Sequence, residues 1–166
     1  MNEWSLPTVI LENEVNKITN MLKLEGKPVP AITMTGGFVS EDQVFKALAM
    51  GNGQVQAVGL CRSAMAAAMT GKQVGKMILE GKTPERYRKY GKTIEEIFAD
   101  LPDLRAIYGL EANQFSTGAI GVFSYLNKIA FGLKHFAALN RKFDVSLLDR
   151  SDLIALTRDA KELLIL

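Results

Sequence analysis

Residues 35–51 read TGGFVSEDQVFKALAMG, with the doublet Gly36-Gly37 set between a short apolar run and a helical pattern. The run, Ala31-Ile32-Thr33-Met34, has the length and composition of a strand. Beyond the doublet, Ser40 and Gln43 stand at capping-box spacing, and Val44, Ala47 and Leu48 form one apolar stripe of a helix. The stretch is therefore a strand, a glycine loop and a helix start. Glycine lets backbone N–H groups converge on an anion without a side chain in the way, and the helix adds its positive end to the same place. The same doublet also serves as a plain tight turn, and these residues alone leave both readings open.

Working outward from this junction extends the pattern in both directions. Downstream, Gly51 is expected at a left-handed helix end and Asn52-Gly53 at a turn. Val55–Leu60 then reads as a strand, and Cys61-Arg62-Ser63 leads into a helix over 64–77 that tolerates Gly71 and Gly75. Arg62 brings a guanidinium fork to a second anion-suited junction. Upstream, Thr8-Val9-Ile10 makes Pro7–Leu11 read as a buried strand, followed by a helix with Leu11, Val15, Ile18 and Leu22 on one face. Three strand–helix repeats argue for parallel strands joined by helical crossovers. Two consecutive phosphate-suited loops match the last two loops of a (β/α) barrel. The expected fold class is α/β: a partial (β/α)8 TIM barrel of about the last three βα units over residues 1–80, then an all-helical extension over 81–166.

Past residue 80 the strand signal stops. GKTPERYRKYG at 81–91 is a polar, basic connector, and Thr93 and Glu96 form a second capping box. Residues 119–139 are apolar on most faces and predict a buried helix. Ser151 is the expected cap of a final amphipathic helix carrying Leu153, Ile154, Leu156 and Leu163.

Composition narrows the function classes. A net charge of +2 gives no electrostatic reason for nucleic acid or an acidic membrane as partner. The single cysteine, Cys61, excludes an internal disulfide, a structural zinc held by thiolates and an iron–sulfur cluster, and fits a cytoplasmic setting. No segment approaches the roughly 20 apolar residues of a spanning helix, and the amino terminus MNEWSLPTV lacks the pattern of a signal peptide.

TGGFVSEDQVFKALAMG followed by VQAVGLCRSAM resembles the seventh and eighth barrel units of FMN-dependent oxidoreductases, most closely the FMN-binding glutamate synthase-like family. RYRKYGKTIEEIF, LRAIYG, STGAIGVFSYLNKIAFGL and NRKF resemble that family's helical C-terminal extension, and NEWSLPTVILE resembles the segment entering its sixth strand. The resemblance implies FMN as cofactor, with Gly36, Gly37, Cys61 and Arg62 at the flavin phosphate. Cys61 stands where many relatives have glycine, and Thr35 where many flavin barrels have aspartate. It also implies an oxidoreductase of glutamate biosynthesis, of which this chain is the C-terminal segment. A full barrel takes eight strands and about 250 residues, so the open strand edges call for a partner chain, a second copy or cover by the tail. The alternative reading is a non-catalytic half-barrel that self-associates or completes a partner chain.

The remaining candidates read as structural. His135 is expected as a packed side chain, Cys61 as a small filler at a strand end, and Met65, Met69 and Met77 as core. Arg86, Arg88, Lys89 and Lys92 read as a solvated run, and Glu41-Asp42 and Glu95-Glu96 as complements to helix dipoles. No catalytic residue and no metal ligand is assigned.

Overall fold

A computed structural model describes residues 6–164. Part of the quoted amino-terminal segment, residues 2–5, lies outside them. The described chain forms helices α1 (Thr8–Leu24), α2 (Glu41–Met50), α3 (Arg62–Leu79), α4 (Glu85–Arg88), α5 (Ile94–Ile97), α6 (Leu101–Tyr108), α7 (Thr117–Leu139) and α8 (Arg158–Leu164). Strands β1 (Ile32–Thr35) and β2 (Val55–Gly59) pair in parallel, and short 3-10 turns at Gly109–Gln114, Val145–Leu147 and Arg150–Asp152 complete the order. The chain divides into two compact units: residues 1–60 with 130–166, and residues 61–129.

In the first unit β1, α2 and β2 form the α/β core. Ser40 and Gln43 make the expected capping box at the start of α2, and the register sets Met34 opposite Val58 and Thr35 opposite Gly59. A Cβ at Gly59 would stand 2.5 Å from Thr35 Cγ2, which is why a bare backbone ends β2. Phe45 and Ala49 of α2 pack with Ala137 of α7 and with Leu148, and Leu133, Phe136 and Leu153 close over them.

The sheet has two strands among the described residues, whereas the sequence predicted three. Pro7–Leu11 is not a strand but the opening of α1. The Pro7 carbonyl accepts from the N–H groups of Ile10 and Leu11 at 3.0 and 3.1 Å, so the β-branched trio is taken up in the first helical turn. β-Branched residues favour a strand only where a neighbouring strand offers packing. The barrel fragment of three βα units is accordingly not seen; a two-stranded parallel α/β motif is.

α1 also turns the opposite way from its apolar pattern. Glu12, Asn13, Asn16 and Thr19 are buried, while Ile18, Met21 and Leu24 are 57%, 59% and 88% exposed. Part of this buried polar face, Asn13 and Asn16 Nδ2, is satisfied by a knot at the end of α2. Asn16 Nδ2 and Arg150 Nε both donate to the Met50 carbonyl, at 2.9 and 3.1 Å, and Arg150 Nη2 donates to Asn13 Oδ1 at 3.2 Å. Arg150 Nη1 meanwhile donates to the carbonyls of Leu163 and Leu164. One guanidinium thus ties α1, α2 and α8 together.

The second unit is a helical assembly around Val74, Ile78, Phe98, Leu101, Leu104, Ala112 and Ile120. Thr93 and Glu96 form the second expected capping box, with the Thr93 N–H donating to Glu96 Oε2 at 3.0 Å. Gly71 and Gly75, outliers to helix propensity, have a packing cause. A Cβ on Gly71 would collide with the Thr117 carbonyl, one on Gly75 with the Thr117 side chain, and one on Gly121 would lie 2.8 Å from the Ala67 carbonyl. α3 and the first part of α7 therefore touch backbone to backbone. The expected domain boundary after residue 80 falls inside this unit, just beyond α3.

Four further expectations are corrected. Gly51 keeps a right-handed backbone (φ −63°), and the left-handed positions are Asn52 and Gly53; Gly51 is needed because Val55 Cβ would lie 2.5 Å from its own Cβ. α7 is not buried throughout: Leu126, Phe131, His135 and Leu139 are exposed, so His135 is not a packed side chain. Met65 and Met69 are exposed rather than core. Ser151 lies in a 3-10 turn capped by Asp149, and residues 153–157 continue as coil before α8, because Asp149 and Asp152 are drawn instead to Lys142 Nζ at 2.8 and 2.7 Å.

Candidate functional site

The loop after β1 carries the predicted glycine doublet in left-handed backbone, with φ +113° at Gly36 and +81° at Gly37. Thr8 Oγ1 donates to the Gly36 carbonyl at 3.0 Å and fixes the loop against the start of α1. A Cβ at Gly36 would come within 3.0 Å of that hydroxyl, whereas nothing crowds Gly37. Gly36 needs both its backbone freedom and its bareness; Gly37 needs the backbone freedom alone.

The positive end of α2 is partly compensated from within. Gln43 Oε1 accepts from the N–H groups of Val39 and Ser40, at 2.8 and 3.3 Å. Asp42 lies in the same first turn, and its carboxyl is held below the usual range by the hydroxyl of Ser40 and then by Lys46, whose Nζ sits 2.9 Å from Asp42 Oδ2. A phosphoryl group at this loop would draw on Gly36, Gly37 and Lys46 more than on the first amides of the helix.

These residues line a cavity of about 350 Å³ in the first unit. Its walls are mainly apolar, from Val9, Phe38, Ala47, Met50, Leu153 and Leu163, and Glu12 is the one acidic side chain in the lining. Glu12 is 2% exposed, and its Oε1 has no hydrogen-bond donor. Burial pushes its carboxyl up to about 7, against the opposing pull of Arg150. Arg150 stands near but makes no hydrogen bond to it; its Nε, Nη1 and Nη2 donate to carbonyls and to Asn13.

Glu12 is not among the site residues expected from the sequence. Glu12, Asn16 and Thr19 recur at helical spacing, a polar stripe as regular as the apolar one beside it, and the sequence alone does not say which of the two faces inward.

Cys61 and Arg62 occupy the N-cap and first residue of α3, and both are exposed, so Cys61 is not a buried filler. They open the second unit, whereas Gly36 and Gly37 belong to the first. Among the described residues no cluster of His, Cys, Asp or Glu has the makings of a metal site, and no helix is long and apolar enough to cross a membrane. No protein-family model, curated protein or solved structure matches the chain.

Proposed function

We propose that the chain is the C-terminal segment of an FMN-dependent glutamate synthase-like oxidoreductase and supplies part of the flavin-phosphate site. The observation that carries this reading is the left-handed Gly36-Gly37 loop at the end of a parallel strand, lining a cavity that also holds Lys46. These residues fit the phosphoryl end of the flavin: open backbone, one ammonium and no crowding Cβ at Gly37. Arg62 joins them on the strength of the resemblance, as does Cys61, and so does the placement of the chain within a TIM barrel completed by another chain. When bound, FMN would supply hydride chemistry at an imine carbon in the family reaction. The chain's own residues bind and orient the phosphate; none is assigned to proton transfer.

Titration of the purified chain with FMN and with inorganic phosphate tests the reading. Quenching of flavin fluorescence, competed by phosphate and weakened at least tenfold by Arg62→Ala and by Gly37→Val, is the expected result. Absence of FMN and phosphate binding by the intact chain overturns it for the chain alone.

A second reading, a non-catalytic module that associates with a second copy or a partner chain, draws on a different observation. The outward apolar face of α1, with Ile18, Met21 and Leu24, is a surface of the kind that marks association. A stable oligomer indifferent to flavin favours this second reading.

A further inference from the structure

The cavity of the first unit holds an imbalance that the phosphate reading does not use. Of its charged lining groups, Lys46 is paired with Asp42, whereas the nearby charge of Arg150 only partly offsets the burial of Glu12. Its hydrogen bonding is not matched, since Glu12 Oε1 is buried without a donor. A buried acceptor left unsatisfied costs about 1–3 kcal/mol. Arg150 spends four of its five N–H donors on the Met50, Leu163, Leu164 and Asn13 acceptors and makes no hydrogen bond to Glu12. Glu12 lines the cavity, and because the terminal torsion of a glutamate is soft and roughly two-fold, turning its carboxyl to meet a ligand costs little.

A ligand suited to this site brings one donor and no charge. A carboxylate head would face the like charge of Glu12, and an ammonium, although a donor, would face the positive charges of Arg150 and Lys46 and give up its hydration between apolar walls. A hydroxyl or amide N–H would satisfy the acceptor, and a hydrocarbon body would cover Val9, Met50, Leu153 and Leu163. At about 350 Å³ the cavity has the size of a small-molecule site.

We propose that this cavity binds a small uncharged molecule with an apolar body and a single hydroxyl or amide donor, which donates to the carboxylate of Glu12. The inference does not depend on the flavin reading, because it rests on Glu12 and the apolar lining of the cavity and on a different chemistry.

The test uses the full chain at pH 8 with four probes of equal chain length: 1-octanol, octanamide, octanoate and octylammonium. Calorimetry is expected to show the alcohol and the amide binding at least tenfold more tightly than either ion. Glu12→Leu should weaken 1-octanol about tenfold, and Ala160→Trp, which fills the cavity from α8, should weaken it as much again. In the unmodified protein, methyl chemical shifts of Val9, Met50 and Leu153 should move with 1-octanol while those of Ile18 and Met21 stay still; this readout holds even if a variant fails to fold. Equal or tighter binding of a charged probe, no binding of the alcohol, or shifts confined to the outer face of α1 overturns the proposal. Loss of FMN binding with 1-octanol binding intact would sink the flavin reading and leave this one standing.

Discussion

At the scale of single residues, Glu12 and Gly37 make the sharpest demands. The carboxyl of Glu12 moves from 4.5 to about 7 on folding because burial penalises its charged form. The folded state therefore holds the proton more tightly than the unfolded chain does. Stability from this group is full below about pH 4.5, falls as pH rises toward 7 and is lost above it, an effect of at most about 3 kcal/mol. Glu12→Gln should flatten that part of the profile and raise stability at pH 8, as urea denaturation across the range will show. Gly37 has open space around it but φ +81°, so Gly37→Ala should cost about 1–2 kcal/mol through backbone strain alone. The glycine doublet was legible in the sequence because its signal is local: a strand before it and a capped helix after it. Glu12 was not, because nothing in a single helix says which of two neighbouring stripes will face inward.

At the scale of elements, the helices with their own start signals emerged as read. The pairs Ser40/Gln43 and Thr93/Glu96 each carry both halves of a reciprocal hydrogen-bond exchange within four residues, so they need no tertiary context. The opening of α1 departs from the strand expectation because Thr8-Val9-Ile10 favours a strand only when paired with another, and no strand among the described residues pairs with it. Gly71 and Gly75 gave no local clue to their purpose; it lies in Thr117 and Gly121, over forty positions away. Gly71→Leu should cost about 3 kcal/mol by forcing α3 from α7, with faster amide exchange through residues 61–129. Gly81→Ala, strained at φ +70° but uncrowded, should cost only about 1–2 kcal/mol and leave that exchange pattern in place.

At the scale of the whole molecule, the α/β class was legible from alternating patterns, whereas the division into units was not, because it joins residues 1–60 to 130–166. Leu148 is the largest apolar side chain sealed in the first unit, and Leu148→Ala should cost about 2–5 kcal/mol in thermal unfolding. If the outer face of α1 is an association surface, paired Ile18→Lys and Met21→Lys substitutions should lower the mass seen by light scattering to that of one chain, with helical content unchanged. The discontinuity of the first unit has a further consequence during synthesis. When residue 129 leaves the ribosome, the second unit is covalently complete, but Phe45 and Ala49 still lack Ala137 and Leu148. The amino-terminal sixty residues must then wait, with their future core open to water, until the last stretch is translated. Nascent chains stalled with residue 130 just outside the ribosome should therefore be protease-resistant over 61–129 and cleaved readily within 1–60.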